Sequence, residues 1–104
     1  MKKVVWTPVA LESLAQTKDF LDKVWNDEVI DSFLNKLDHR INQIRKNPEL
    51  APSFKQSEFR QLIVHRTTSL FYRIYPDHIK LLLLWDNRQN PSDLLKKIND
   101  ANNK

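Results

Sequence analysis

The sequence predicts an α+β fold: an N-terminal strand, an antiparallel helix hairpin, then a three-stranded antiparallel meander, all in one sheet packed on the helices, with a short C-terminal helix. Three observations point there. From Leu11 to Ile44 apolar residues recur at three- and four-residue steps, the helical period. From Glu58 to Asp86 the chain turns to aromatic and branched residues in three runs bounded by turn signals. At 104 residues there is room for one hydrophobic core and little else, so residues 1–98 are expected to form a single domain followed by a polar, frayed tail, 99–104.

Lys2 to Trp6 reads as the first strand, ended by Thr7-Pro8, where Thr7 supplies a helix N-cap and Pro8 the first helical position. Leu11, Leu14, Ala15, Lys18, Leu21 and Trp25 then give an amphipathic helix up to Asn26. In the second helix Ile30, Phe33, Leu34, Leu37, Ile41 and Ile44 form one apolar stripe, and Asn47-Pro48 ends it. A break of one or two residues between the helices implies a hairpin. A loop from Glu49 to Lys55 leads to the strands Glu58–Arg66, Ser69–Tyr75 and Ile79–Asp86, and Asn90 caps a closing helix over Pro91–Ile98.

Composition excludes several functions. Without cysteine there are no disulfides, no thiolate nucleophile and no cysteine-ligated zinc. Without glycine there is no phosphate-cradling loop of the P-loop or dinucleotide-binding kind, and turns fall to Asn, Asp and Pro. The longest apolar run, Leu81 to Trp85, is far too short to span a bilayer, and the apolar stretch after Lys2-Lys3 is too short for a signal peptide, so a cytoplasmic protein with no metal and no cofactor is expected. The formal net charge of +4 informs only through where the charges fall.

A two-residue turn at Pro76-Asp77 sets Tyr72 opposite Leu81, Arg73 opposite Lys80 and Ile74 opposite Ile79. Leu70, Tyr72, Ile74, Ile79, Leu81, Leu83 and Trp85 then share the face that packs on the helices. Phe71, Arg73, Tyr75, Lys80, Leu82 and Leu84 share a mixed second face. With a second turn at Thr67-Thr68, Arg60, Leu62, Val64 and Arg66 join that second face. The result is a cationic, aromatic surface able to meet phosphates and stack on bases. Trp6, Trp25 and Trp85 read as core, His39 and His78 as surface, and His65 as a candidate proton-transfer group.

The element order, with Arg60-Gln61-Leu62-Ile63-Val64, Leu70-Phe71-Tyr72-Arg73-Ile74 and the run from Leu82 through Asp86-Asn87-Arg88 to Pro91, resembles the RelE/ParE superfamily of toxins from type II toxin-antitoxin systems. The resemblance spans nearly the whole chain. It implies a cognate antitoxin as partner and, as target, either mRNA on the ribosome, cleaved without a metal, or DNA gyrase, inhibited by binding without catalysis; a catalytically weakened member is the third option. RNA cleavage requires a base, an acid and cations for the developing charge. The resemblance matches Arg60 and Arg88 to positions where the nucleases keep basic residues; His65 and Lys55 remain as candidate bases, and Lys55 with Arg66, Arg73, Tyr75 and Lys80 of the sheet face would bind substrate. Ser69 and Leu62 stand where such nucleases keep basic residues, and no tyrosine or histidine follows Arg88.

Overall fold

A computed structural model describes residues 1–24 and 26–103; Trp25, expected in the core, lies outside the described residues. The elements are β1 (Lys3–Trp6), α1 (Pro8–Val24), α2 (Asp27–Lys46), β2 (Phe59–His65), β3 (Thr68–Ile74), β4 (His78–Asp86), a 3-10 turn at Pro91–Asp93 and α3 (Leu94–Asn102). They form one mixed sheet in the order β1-β4-β3-β2, with β1 parallel to β4 and the other pairs antiparallel.

Local signals set most boundaries as expected. Thr7 caps α1, its hydroxyl accepting from the Ala10 N–H at 3.1 Å. Asn26 caps α2 rather than ending α1, its side-chain oxygen accepting from the Val29 N–H at 3.1 Å. Asn90 caps the 3-10 turn through the Ser92 N–H. Two corrections concern helices. The buried side of α1 centres on Ala10 and Ser13, with Leu14 and Leu21 half-buried, while Leu11, Ala15 and Lys18 face solvent. The expected frayed tail is instead the last turn of α3, where Ala101 is fully buried.

The larger correction is in the sheet. The Pro76-Asp77 hairpin has the expected register through Tyr72↔Leu81, but Phe71 then pairs with Leu83, leaving Leu82 as an extra residue. Such a bulge turns the following side chains over. Leu84 joins Leu70, Tyr72, Ile79 and Leu81 against α1 and α2, whereas Leu82, Leu83 and Trp85 join Phe59 and Phe71 against α3. Leu83 and Trp85 are therefore core residues of the opposite face from the one alternation assigns. In β2 a second irregularity falls between Ile63 and His65, and the β2–β3 turn is Arg66-Thr67, one residue earlier than expected. Leu62 and Val64 consequently pack against the helices, and Arg60 pairs with Tyr72 on that same side.

The bulge is held by α1. Pairing of β1 stops at Trp6↔Leu81, so beyond it the outer edge of β4 has no strand partner. There the Thr7 hydroxyl donates to the Leu81 carbonyl at 2.8 Å, and the Ser13 hydroxyl accepts from the Leu84 N–H at 3.0 Å while donating to the Ala10 carbonyl at 2.8 Å. Both side chains are buried. The other edge is covered in part by residues 52–54: the Gln61 N–H donates to Pro52 and the Phe54 N–H to Phe59. With no glycine in the chain, Lys55 and Gln56 take the left-handed conformations of that loop, φ 49° and 58°, at a cost of about 1 kcal/mol each.

Ser13→Ala orphans the buried Leu84 N–H and is expected to lower stability by about 1–3 kcal/mol in urea unfolding. Deleting residues 99–104 removes buried Ala101 and the Asn102 contacts, so a thermal melt should show a clearly lower Tm; an unchanged Tm would mean that the tail frays after all.

Candidate functional site

At the end of the sheet formed by the β2–β3 turn and the end of β4, the helices stand off and leave a groove of about 770 Å³. One wall is Ser13, Thr17, Phe20 and Leu21 of α1 with Val29 and Phe33 of α2. The other is His65, Arg66 and Thr68 with Leu84, Asp86 and Arg88, and Lys97 of α3 closes one side. Phe20 is 49% exposed, so the groove offers apolar surface to solvent.

The turns that frame it are tied together. The Asn87 N–H donates to the Thr67 carbonyl at 2.6 Å, and the buried Ser69 hydroxyl donates to the Asn87 side chain at 2.9 Å while accepting from the Gln61 amide at 3.0 Å. Because Ser69 is 0% exposed, this chain replaces water at a buried polar site and fixes His65 and Arg66 relative to Arg88.

The structure divides the residues expected to act together. His65, Arg66 and Arg88 do share the groove. Arg60 lies five residues from His65 along β2, about 16 Å at strand rise. Its guanidinium donates to the Ala51 carbonyl at 2.6 Å, beside the Tyr72 hydroxyl, which donates to Pro48 at 2.6 Å. Together they hold loop 47–52 on the sheet, and burial pushes the Tyr72 phenol above its ordinary value against the pull of Arg60 and Arg40. Arg73, Tyr75 and Lys80 occupy the opposite face. Arg73 pairs with Glu58 at 3.3 Å and lies over the Tyr75 ring, the Tyr75 hydroxyl donates to the Asn102 side chain at 3.2 Å, and Lys80 donates to the Asn102 carbonyl. The Lys55 ammonium sits 5.5 Å from the Phe54 ring, outside the groove. The continuous cationic and aromatic sheet face expected from alternation is therefore not formed: α3 covers its centre, and Arg60 is on the other side.

The groove's own electrostatics are muted. Arg88 grips Asp86 with two hydrogen bonds, 3.0 and 2.8 Å, and the same carboxylate accepts from the Arg88 N–H at 2.9 Å. That grip holds the Asp86 carboxyl below the usual carboxylate range and raises Arg88 further. Arg66 and Lys97 remain, with Glu28 opposing them and Lys97 lying 5.0 Å over the Trp85 ring. The sequence reading missed Phe20, Glu28, Asp86, Lys97 and the Ser69–Asn87 link. Only Asp86 had a legible signal, its two-residue spacing from Arg88.

Residues 4–91 match the family model described as ParE toxin of type II toxin-antitoxin system, parDE. A solved chain from the "Chromosomal ParDE TA system from P. aeruginosa" superposes with a TM-score of 0.71 at 17% sequence identity, covering 83% of this chain and 96% of that one, and so shares the fold. No curated protein matches. Among the described residues no helix is long and apolar enough to cross a membrane.

Arg88→Ala should return the Asp86 carboxyl toward the ordinary carboxylate value, seen as an upward-shifted midpoint in an NMR pH titration. Since the folded-state pKa of Asp86 is depressed, the small stability that this pair contributes is present above about pH 4 and is lost as pH falls through the folded value; the variant should lack that acid-side loss.

Proposed function

Because the chain belongs to the ParE toxin family of type II toxin-antitoxin systems, which implies an antitoxin partner, we propose that it acts by binding DNA gyrase, without chemistry of its own. Of the activities that the resemblance attaches to the superfamily, gyrase inhibition is the ParE one. The observation that carries the choice is how the basic residues are used. Arg60 is engaged by backbone carbonyls far from His65, and Arg88 is already neutralised by Asp86. The His65 side chain, exposed at the end of β2, makes no hydrogen bond to a described residue. Metal-free RNA cleavage needs an acid, a base and free cations converging on one phosphate, and such groups typically contribute 10²–10⁴-fold each; this groove brings together one imidazole and two unpaired cations.

The antitoxin then occupies the groove. Its exposed Phe20 with Leu21 and Val29 suits apolar anchors from a segment that orders on binding, and Arg66, Lys97 and Glu28 supply a charged rim. The mixed sheet face is covered by α3 of the chain itself.

Two measurements test this reading. Purified chain added to gyrase should block supercoiling and accumulate broken DNA, while mRNA incubated with it, with or without translating ribosomes, stays intact. Cut RNA with normal supercoiling would overturn the proposal in favour of cleavage at His65, Arg66 and Arg88. His65→Ala should keep full toxicity, and Phe20→Asp should weaken the antitoxin complex by roughly a hundredfold, the size of an anchor residue's contribution.

A further inference from the structure

The charge of the molecule is divided along its long helix. Around the turn between α1 and α2, Asp19, Asp22, Asp27, Glu28 and Asp31 are all exposed, with Lys18 and Lys23 among them. At the other end of α2, about 30 Å away for 20 residues at helical rise, Arg45 meets Lys2, with exposed Lys46 and Lys3 next to them in sequence. The meeting is built by the backbone: the Lys2 N–H donates to the Arg45 carbonyl at 3.1 Å, and the Arg45 guanidinium donates to the Lys2 carbonyl at 3.0 Å. The Lys2 ammonium is turned onto the β3–β4 hairpin, donating to the carbonyls of Tyr75 and Pro76 at 2.5 and 3.0 Å. Lys3, beside His78 in register, projects exposed.

Ordinary helix physics explains only part of this. The carboxyl end of α2 carries about half a negative charge, which one of Arg45 and Lys46 more than satisfies. Asp77 is the nearby carboxylate and is held by His78 at 2.8 Å; Glu49 lies three residues beyond Lys46. Among the described residues Lys2, Lys3, Arg45 and Lys46 form no ion pair with a carboxylate, though Lys3 acts on Asp77 through space; the Lys2 and Arg45 head groups are held by neutral carbonyls and Asn42, which direct their charge without cancelling it. Asn42 and Asn47, exposed or half-buried beside them, add neutral donors of the sort that accompany phosphate contacts.

We propose that this end of the molecule, Lys2, Lys3, Arg45 and Lys46, is a binding site for the phosphate backbone of duplex DNA, oriented by the acidic opposite end. The choice of duplex rests on the gyrase reading, since that target works on double-stranded DNA; the geometry supplies the polyanion site. A duplex presents one negative charge per about 1.7 Å of axis, so a patch spanning two adjoining elements can meet several phosphates. The acidic helix turn is repelled by the same field, so the chain approaches basic end first. On a gyrase–DNA complex this would add a sequence-independent grip on the DNA to the contacts made with the enzyme.

The test measures binding of the purified full chain to a short mixed-sequence duplex, without gyrase, between about 50 and 200 mM salt. Four phosphate contacts give a slope of log affinity on log salt of about −3.6; the Lys3→Gln/Lys46→Gln variant should show about −1.8, and the Lys3→Glu/Lys46→Glu variant at least a tenfold weaker affinity. Circular dichroism melts control for folding, which these exposed positions should leave unchanged. No duplex binding, an unaltered slope in the variants, or tighter binding to phosphatidylglycerol vesicles than to DNA overturns the proposal. Gyrase inhibition, measured in parallel, is read separately: duplex binding without inhibition sinks the gyrase reading and leaves the site, while inhibition without duplex binding removes the site alone.

Discussion

The capture of the β4 bulge by α1 is the contact on which the rest of the structure hangs. One extra residue, Leu82, would leave the Leu84 N–H at a sheet edge without a strand partner; the Ser13 hydroxyl receives it, and Thr7 takes the Leu81 carbonyl a few residues earlier. Leaving such a group buried and unpaired costs about 1–3 kcal/mol, a large fraction of a small domain's stability. The two hydroxyls thus do for β4 what β1 does before it runs out. They also fix where α1 lies, and with it one wall of the groove.

From the bulge follow two cores rather than one. Leu82 and Leu83 fall consecutively on the face away from α1 and α2, where with Phe71 and Trp85 they make an apolar floor that no solvated sheet surface could bear. The chain covers it with Leu94, Ile98 and Ala101 of α3, each buried side chain of Leu size contributing about 1.5–3 kcal/mol. That covering is why a basic, aromatic sheet surface does not exist, and why the open concave surface lies instead at the edge between the helices and the turns.

Several cations in this protein are structural fasteners. Arg60 holds a loop, Arg73 pairs with Glu58 over Tyr75, Lys80 and Tyr75 secure the end of α3, and Arg88 and Asp86 close on each other. Besides scattered lysines such as Lys18, Lys23, Lys36 and Lys96, the cations without a carboxylate partner among the described residues include Arg66 and Lys97 at the groove and the four residues at the end of α2. A positive net charge therefore says little about function until each guanidinium and ammonium has been matched to its partner, because an arginine paired with a carboxylate offers a phosphate much less than one whose charge is not cancelled.

Element order, the Thr7 and Asn90 caps, the apolar stripe of α2 and the Pro76-Asp77 hairpin were all legible in the sequence, because each is set by neighbours within a few residues: a hydroxyl three positions from an N–H, a ring that fixes φ, a period of 3.6. What only the tertiary structure decided is which face the residues of β2 serve, and those of β4 beyond Leu81. Side-chain direction in a strand has period two, so one extra residue at Leu82, or the irregularity between Ile63 and His65, inverts the strand beyond it. Leu81-Leu82-Leu83-Leu84 is a run of one residue type, and nothing local in it marks where a bulge belongs. Its place is chosen by Ser13, which lies 71 residues away in sequence and 3.0 Å away in space.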